Sequence, residues 1–291
     1  MHYEGLVIRP PSEANSLILQ VTVGCSHNRC TFCPAYKAKR FRIKSFQEIQ
    51  QDIDEAQSSF PSLRRVFLAD GDALIIPQPR LLETIHYLHL RFPAIQRIGS
   101  YANLKSILRK SAAELKELKD RKLSILYLGI ESGDDQTLST VRKGATFDKI
   151  VEAASRVKEA GIKLSVTVLL GVGGKERSVI HAHKTAELLT RIQPDYVGAL
   201  TMMIIPEAPI HRLAEAGLFT LPSPFELLGE LRTMIAASEL HSCLFFSNHA
   251  SNYLPLKARL PKDKDDCVQL LDGILARNDS AVLTPEYRRA L

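Results

Sequence analysis

The chain of 291 residues is long enough for one large or two ordinary domains with a sizeable core. Its composition, 45% hydrophobic and 24% charged, excludes a disordered or fibrous protein, and no apolar run reaches the ~18 residues of a membrane-spanning helix. The net charge of +6, from 38 basic and 32 acidic residues, suits an acidic protein partner and is too small to indicate nucleic acid.

The first residues, MHYEGLVIRPPSEANS, contain no apolar stretch of the secretory-signal kind, so a cytoplasmic location is expected. The apolar run SLILQVTV (16–23) predicts a strand that leads straight into the loop GCSHNRCTFC. Ser45 and Glu48 form a capping-box pattern that opens a helix over 45–58. Strand-like runs follow at 65–70, 95–101, 123–130, 163–170 and 196–205, separated by amphipathic stretches near 78–91, 111–120, 146–160 and 176–191. Ser111 with Glu114 caps one of these helices, and Gly161 stops another.

Near-continuously apolar strands alternating with helices mean right-handed βαβ units and a parallel sheet covered on both faces. Six units end near residue 205, and the remainder offers one short strand candidate, CLFF at 243–246. The expectation is an α/β fold, an open partial (β/α)6 TIM-type barrel over 1–215, with a mainly helical C-terminal extension over 216–291. Pro206, Pro209, Pro222 and Pro224 mark the boundary region. In such barrels the chemistry sits at the C-terminal ends of the strands. The loops there read GCSHNRC, DGDAL, ANL, ESGDD, GVGGKE and PEAP, and all but the third carry glycine, charge or cysteine.

Three of the five cysteines, Cys25, Cys30 and Cys33, lie within nine residues as C-x4-C-x2-C, which reads as metal ligation rather than disulfide chemistry. With His27 the segment could be a Cys3His zinc site. Structural zinc sites usually gather two separated pairs of ligands, and no second pair lies nearby. Three thiolates suit a [4Fe–4S] cluster with one iron left without a protein ligand, a vacancy where a small molecule can chelate.

These residues resemble the radical S-adenosylmethionine (SAM) superfamily over roughly Leu17 to Pro206, with a first cysteine gap of four residues instead of the commonest three. The resemblance implies a [4Fe–4S] cluster on the three cysteines, SAM as second cofactor, and hydrogen abstraction from an unidentified substrate. It implies that Phe32 contacts the adenine through its backbone, and that Asp70, Gly71 and Asp72 correspond to a segment receiving the methionyl amine, with Asp72 where glutamate is usual. Glu131 and Ser132 correspond to a ribose-contacting segment, Arg142 and Lys143 to a following basic pair, and Gly171 and Gly173 to close-approach glycines near the adenine. Ser100, in the third strand run, is a further cofactor-contact candidate.

Plainer readings stand beside these: a turn-forming role for the aspartates, a solvated helix face for Arg142 and Lys143, and ordinary helix-entry turns for the glycines. The basic run Lys37, Lys39, Arg40, Arg42, Lys44 is either a solvated stretch or a dock for an acidic electron donor of flavodoxin or ferredoxin type. Sparse aromatics argue against nucleic-acid stacking. Cys243 and Cys267 are too few for a second cluster and suit packing. The segment Phe246 to Tyr253 is dense in hydrogen-bonding groups, with His249 as a proton-transfer candidate and Tyr253 as a hydrogen-atom donor. Three other readings are RNA modification, a non-catalytic cluster- and SAM-carrying chaperone, and a zinc-binding interaction module.

Overall fold

Apolar runs and caps place the elements of the protein, whose computed structural model describes residues 1–60 and 62–290. In chain order they are β1 (Leu17–Gln20), β2 (Thr22–Val23), β3 (Arg42–Ile43), α1 (Phe46–Ser59), β4 (Arg65–Ala69), α2 (Gln78–Arg91), β5 (Arg97–Tyr101), α3 (Leu104–Arg109), α4 (Ala112–Asp120) and β6 (Leu123–Glu131). Then come α5 (Asp135–Thr140), α6 (Phe147–Glu159), β7 (Lys163–Leu170), α7 (Gly174–Ile192), β8 (Tyr196–Thr201), α8 (Ile210–Glu215), α9 (Pro224–Ala237), β9 (Cys243–Phe246), β10 (Lys257–Leu260) and α10 (Lys264–Arg277). The strands form a mainly parallel, eight-stranded sheet that is open, not a closed barrel, and the pair β2 and β3 forms a small sheet of its own.

Local sequence sets the ends of these helices. Ser45 accepts from Glu48 N while the Glu48 carboxylate accepts from Ser45 N, and Ser111 with Glu114 and Ser223 with Glu226 repeat the arrangement, so two orphan donors are satisfied at each start. Each such cap is worth about 1 kcal/mol. Arg142 and Lys143, expected on a helix face, instead lie in the turn after α5. That helix stops at Thr140, and Arg142 adopts φ +53°.

The chain divides into two compact units. The first comprises Met1–Asn28, Ala35–Leu128 and Glu152–Leu164. Its strands run in the order β1-β4-β5-β6, all parallel, with Leu17 opposite Val66 and Gln20 opposite Ala69. Leu19, Val66, Phe67, Leu68, Ile98 and Leu126 are fully buried, as strands with both faces covered require. Phe67, Tyr101 and Tyr127 meet edge to face, with ring centroids 4.9–6.2 Å apart. Near the strand starts the buried Glu13 binds Arg97, Ser16 and the Tyr127 hydroxyl, closing that end with a paired charge.

The second unit comprises Arg29–Pro34, Gly129–Val151 and Ser165–Leu291. Its strands run β7-β8-β9-β10, the last pair antiparallel. Helix α9 packs on α7 and α10, burying Leu227, Leu228, Leu231, Met234 and Ile235. The strand expected over 196–205 ends earlier, at Thr201, for reasons that lie in the 247–254 loop.

In the first unit the basic run is largely neutralised. Lys44 and Asp52 form a 3.0 Å pair with both side chains only 2% exposed, and Lys44 also donates to His2 O. Lys39 pairs with Asp70, and Arg42 with Glu4 and Glu48. A buried charge stripped of its partner is costly, whereas an apolar pair of similar volume is nearly neutral. Asp52→Ala is therefore expected to cost about 3–5 kcal/mol in urea unfolding, and the double variant Lys44→Met, Asp52→Leu to recover most of it.

Candidate functional site

In the first unit the loop after β2 opens at Gly24, φ +75°, and continues to Cys25 and Ser26. Two buried aspartates in the turn after β4 hold this stretch. Asp70 accepts from Gly24 N at 3.2 Å, Gln20 Nε2 at 3.4 Å and Lys39 Nζ at 3.0 Å, and its Oδ1 has no donor among the described residues. Asp72 accepts from Asn103 N at 3.1 Å and Ser106 Oγ at 2.6 Å through Oδ1, and from Ser26 Oγ through Oδ2. Burial raises the pKa of Asp72, and these donors pull it part of the way back.

Asn103, which opens α3, directs Nδ2 at Ser26 Oγ (3.2 Å) and at Cys25 Sγ (3.5 Å). A Cβ at Gly71 would stand 2.7 Å from the Tyr36 ring and 2.9 Å from Cys25 Cβ, so only glycine lets this turn lie against the cysteine. Ser100 is buried in β5 and donates to Tyr101 O at 2.9 Å.

In the second unit the backbone of Thr31 fastens the segment 29–34 on both sides. Thr31 N donates to Val141 O at 3.0 Å, and Thr31 O accepts from Ile210 N at 2.9 Å. Phe32 packs on the apolar cluster of Val141, Leu169, Met202 and Ile210. Cys25, Cys30 and Cys33 are half-buried and outside any disulfide, whereas Cys243 and Cys267 are buried thiols. Burial pushes the Cys243 thiol up to about 12, so it stays protonated and packs as a small hydrophobe.

At the end of β6, Glu131 has φ +64°, a left-handed conformation that costs a non-glycine residue about 1–2 kcal/mol and concentrates at functional positions. Its carboxylate receives Lys143 Nζ at 2.8 Å, and a Cβ at Gly129 would collide with it. Ser132 Oγ lies 2.8 Å from His181 Nδ1 and accepts from Asp134 N at 3.0 Å. Asp134 caps α5 through Thr137 N and takes a two-pronged bond from Arg177 at 2.8 and 2.9 Å. Burial opposes its ionisation, but the Arg177 and Thr137 bonds win and hold it at about 2.

After β7, Gly171 has φ +82°, and its Cβ would stand 2.8 Å from both Leu221 Cδ1 and Leu227 Cδ2. Its N–H donates to Glu230 Oε2 at 2.7 Å. Gly173 immediately precedes α7, against the Cβ of His181.

The loop 247–254 is built around the end of β8. Ser251 Oγ accepts from Thr201 N at 3.2 Å. Asn252 accepts from Thr201 Oγ1 at 2.7 Å and donates to Ala199 O at 2.9 Å, which is why that strand stops at Thr201. His249 Nδ1 accepts from Ser251 N at 3.1 Å, leaving Nε2 as the proton-bearing nitrogen of the neutral ring, and burial lowers its pKa. Tyr253 donates to Glu286 at 2.6 Å and accepts from Arg289 at 2.6 Å, with that guanidinium 4.0 Å from its ring centroid. Burial and Glu286 push the phenol up to about 12.

Three thiols within nine residues are soft donors of the kind an iron–sulfur cluster takes, and buried carboxylates beside close-packed turns suit a cationic, amine-bearing nucleotide. The family profile described as "Radical SAM superfamily" matches residues 19–189, more than half of the chain. The chain belongs to the radical SAM superfamily. Its cofactors are a [4Fe–4S] cluster and SAM, and its members are enzymes.

One similar sequence is 4'-phospho-dehydrooxetanocin synthase of Priestia megaterium, 24% identical over 172 residues, covering 53% of this chain and 23% of that protein. Another is tRNA-2-methylthio-N(6)-dimethylallyladenosine synthase of Dehalococcoides mccartyi, 27% identical over 198 residues, covering 66% and 46%. The matches thus span less than half the length of these relatives. Among solved structures, methylornithine synthase is similar with a TM-score of 0.54 at 19% identity, covering 77% of this chain and 63% of that one. Coproporphyrinogen III oxidase of Escherichia coli gives 0.52 at 17%, covering 76% and 51%. These two likenesses establish the fold.

Sequence reasoning overlooked Asn103, Ser106, Ser178, Arg177 and Glu230. Asn103 with Ser106 had a signal in its cap spacing, and Glu230 had one as a lone charge on an apolar helix face.

Two outcomes follow from the buried carboxylates. Asp72→Ala strands the Asn103 amide and two hydroxyls and should cost about 2–3 kcal/mol in urea unfolding. Asp134, depressed from 3.8 to about 2, adds stability above its unfolded pKa that is lost as pH falls through the folded one. Stability measured between pH 4 and 2 should therefore fall less steeply in Arg177→Met than in the parent.

Proposed function

We propose that this protein cleaves SAM reductively and uses the product to take a hydrogen atom from a substrate carbon. When bound, the cluster and SAM supply a one-electron cleavage of a carbon–sulfur bond, yielding methionine and a 5′-deoxyadenosyl radical that becomes 5′-deoxyadenosine as the substrate becomes the radical. Cys25, Cys30 and Cys33 would hold the cluster. Three thiolates leave one iron for the methionyl amine and carboxylate. The observation that carries the reading is this set of three thiols directly after β2 of a chain that matches the superfamily.

The other residues would bind and orient. Asp72 and Asp70 keep Cys25 and its neighbours in place, and Asp70 Oδ1 retains an acceptor for an ammonium. Glu131, with Ser132, would accept from ribose hydroxyls, and Lys143 holds the Glu131 carboxylate in place through a 2.8 Å contact. Arg142, in its turn, would meet the methionyl carboxylate, and Phe32, Gly171 and Gly173 would bring backbone near the adenine. His249 would move a proton at Nε2. Tyr253 would return a hydrogen atom only after leaving Glu286 and Arg289.

A one-electron reductant is required, and a flavodoxin- or ferredoxin-like donor in a reducing compartment, the cytoplasm, suits it. Of the basic run, Lys39, Arg42 and Lys44 are held in ion pairs while Arg40 is exposed, so charge steering of the donor is weaker than the sequence suggested. The same pairing leaves this run little unpaired charge for an RNA backbone, and RNA modification is not favoured. No helix among the described residues is long and apolar enough to cross a membrane.

Anaerobic reconstitution with iron and sulfide should give about four iron per chain and a broad visible absorption. Dithionite with SAM should then yield 5′-deoxyadenosine, and Cys30→Ala should lose both signals. A colourless protein holding one zinc would reject the proposal.

A further inference from the structure

Glu230 is a buried carboxylate on α9, beyond the residues matched to the superfamily, and three groups converge on it. Gly171 N donates to Oε2 at 2.7 Å, Ser178 Oγ donates to Oε1 at 2.6 Å, and His181 Nε2 stands 3.7 Å from Oε2. The opposite nitrogen of that imidazole lies 2.8 Å from Ser132 Oγ. His181 is fully buried, its ring also facing the backbone of Leu169, and its Nε2 touches Glu230 without a short hydrogen bond. A single carboxylate thus touches the turn after β7 directly and reaches the turn after β6 across one imidazole ring.

We propose that Glu230 is a positioning residue for the nucleotide-binding turns, holding Gly171 by its own hydrogen bond and backing, by packing contact, the His181 ring whose other nitrogen meets Ser132. The inference rests on the reading of those two turns as SAM-contacting. The C-terminal helix α9 is then a working part of the cofactor site and not only a cover for the sheet.

The local chemistry agrees. Leu227 and Leu231 flank Glu230 on an otherwise apolar face, and an uncompensated carboxylate there would carry a large desolvation cost. Burial raises its pKa to about 7, with Ser178 and Gly171 opposing and Glu226 adding to the rise. Burial lowers His181 to about 4, so at neutral pH the ring is uncharged and serves as a spacer of fixed shape. Gly171 carries no side chain and has φ +82°; its carbonyl is held by Gly174 N at 3.0 Å, and Glu230 supplies the acceptor for its N–H.

The test compares Glu230→Ala and Glu230→Gln with Leu231→Ala, a core truncation on the same helix that supplies a stability control. Amide hydrogen exchange is read on the protein without SAM, and the dissociation constant for SAM is read after cluster reconstitution. Glu230→Ala should speed exchange at least tenfold in both 131–134 and 171–174 and weaken SAM binding by tenfold or more. Glu230→Gln, which keeps an acceptor for Gly171 N, should stay within threefold on both readings. Leu231→Ala should lower Tm without singling out these two turns.

Faster exchange at 171–174 alone, with 131–134 unchanged, overturns the linkage. So does a pattern for Glu230→Ala no different from that of Leu231→Ala. The exchange arm needs no cofactor. A parent that shows linked exchange but binds no SAM would therefore contradict the reading of the turns as a nucleotide site, while the linkage itself would stand.

Discussion

A buried carboxylate must find donors, and four of those in this protein, Asp70, Asp72, Asp134 and Glu230, bind or lie in the turns that follow the strands. Asp70 takes the backbone at Gly24 and the ammonium of Lys39, so the start and the far side of the cysteine loop are tied to one point. Asp72 takes Ser26, Asn103 and Ser106, which joins the residue next to Cys25 to the first turn of α3. Asp134 and Glu230 repeat the device in the second unit, on the turns after β6 and β7. Loops at strand ends are the least constrained part of a parallel α/β fold, and chemistry at those ends needs them fixed.

This use of charge explains why the basic run after the cysteine loop is so little a surface feature. Lys39 and Lys44 are spent on Asp70 and Asp52, and Arg42 on Glu4 and Glu48. Lys39 and Lys44, part of what reads in sequence as a positive patch, become internal scaffolding.

Much of the architecture was legible because its signals are local. Two expected capping boxes, at Ser45 and Ser111, formed as read. The apolar runs at 65–70, 123–130 and 163–170 became β4, β6 and β7 with ends within a residue. The crowding of Cys25, Cys30 and Cys33 was equally local, and it pointed to the superfamily that the profile match then established. What escaped was set by partners far along the chain. Six-residue helices such as α3 and α5 carry too little periodicity to be read, and Arg142 was placed on a helix that in fact ends two residues before it. The truncation of β8 at Thr201 depends on Ser251 and Asn252, some fifty positions later, and the role of Glu230 on Gly171, nearly sixty positions earlier.

The account turns on one iron of the cluster lacking a thiolate from the protein and being available to the amino-acid end of SAM. Mössbauer spectroscopy of protein reconstituted with enriched iron, with and without SAM, examines that iron directly. The account predicts that one site of the four changes its isomer shift when SAM is added while the other three hold. Four sites that stay alike and indifferent to SAM would contradict it.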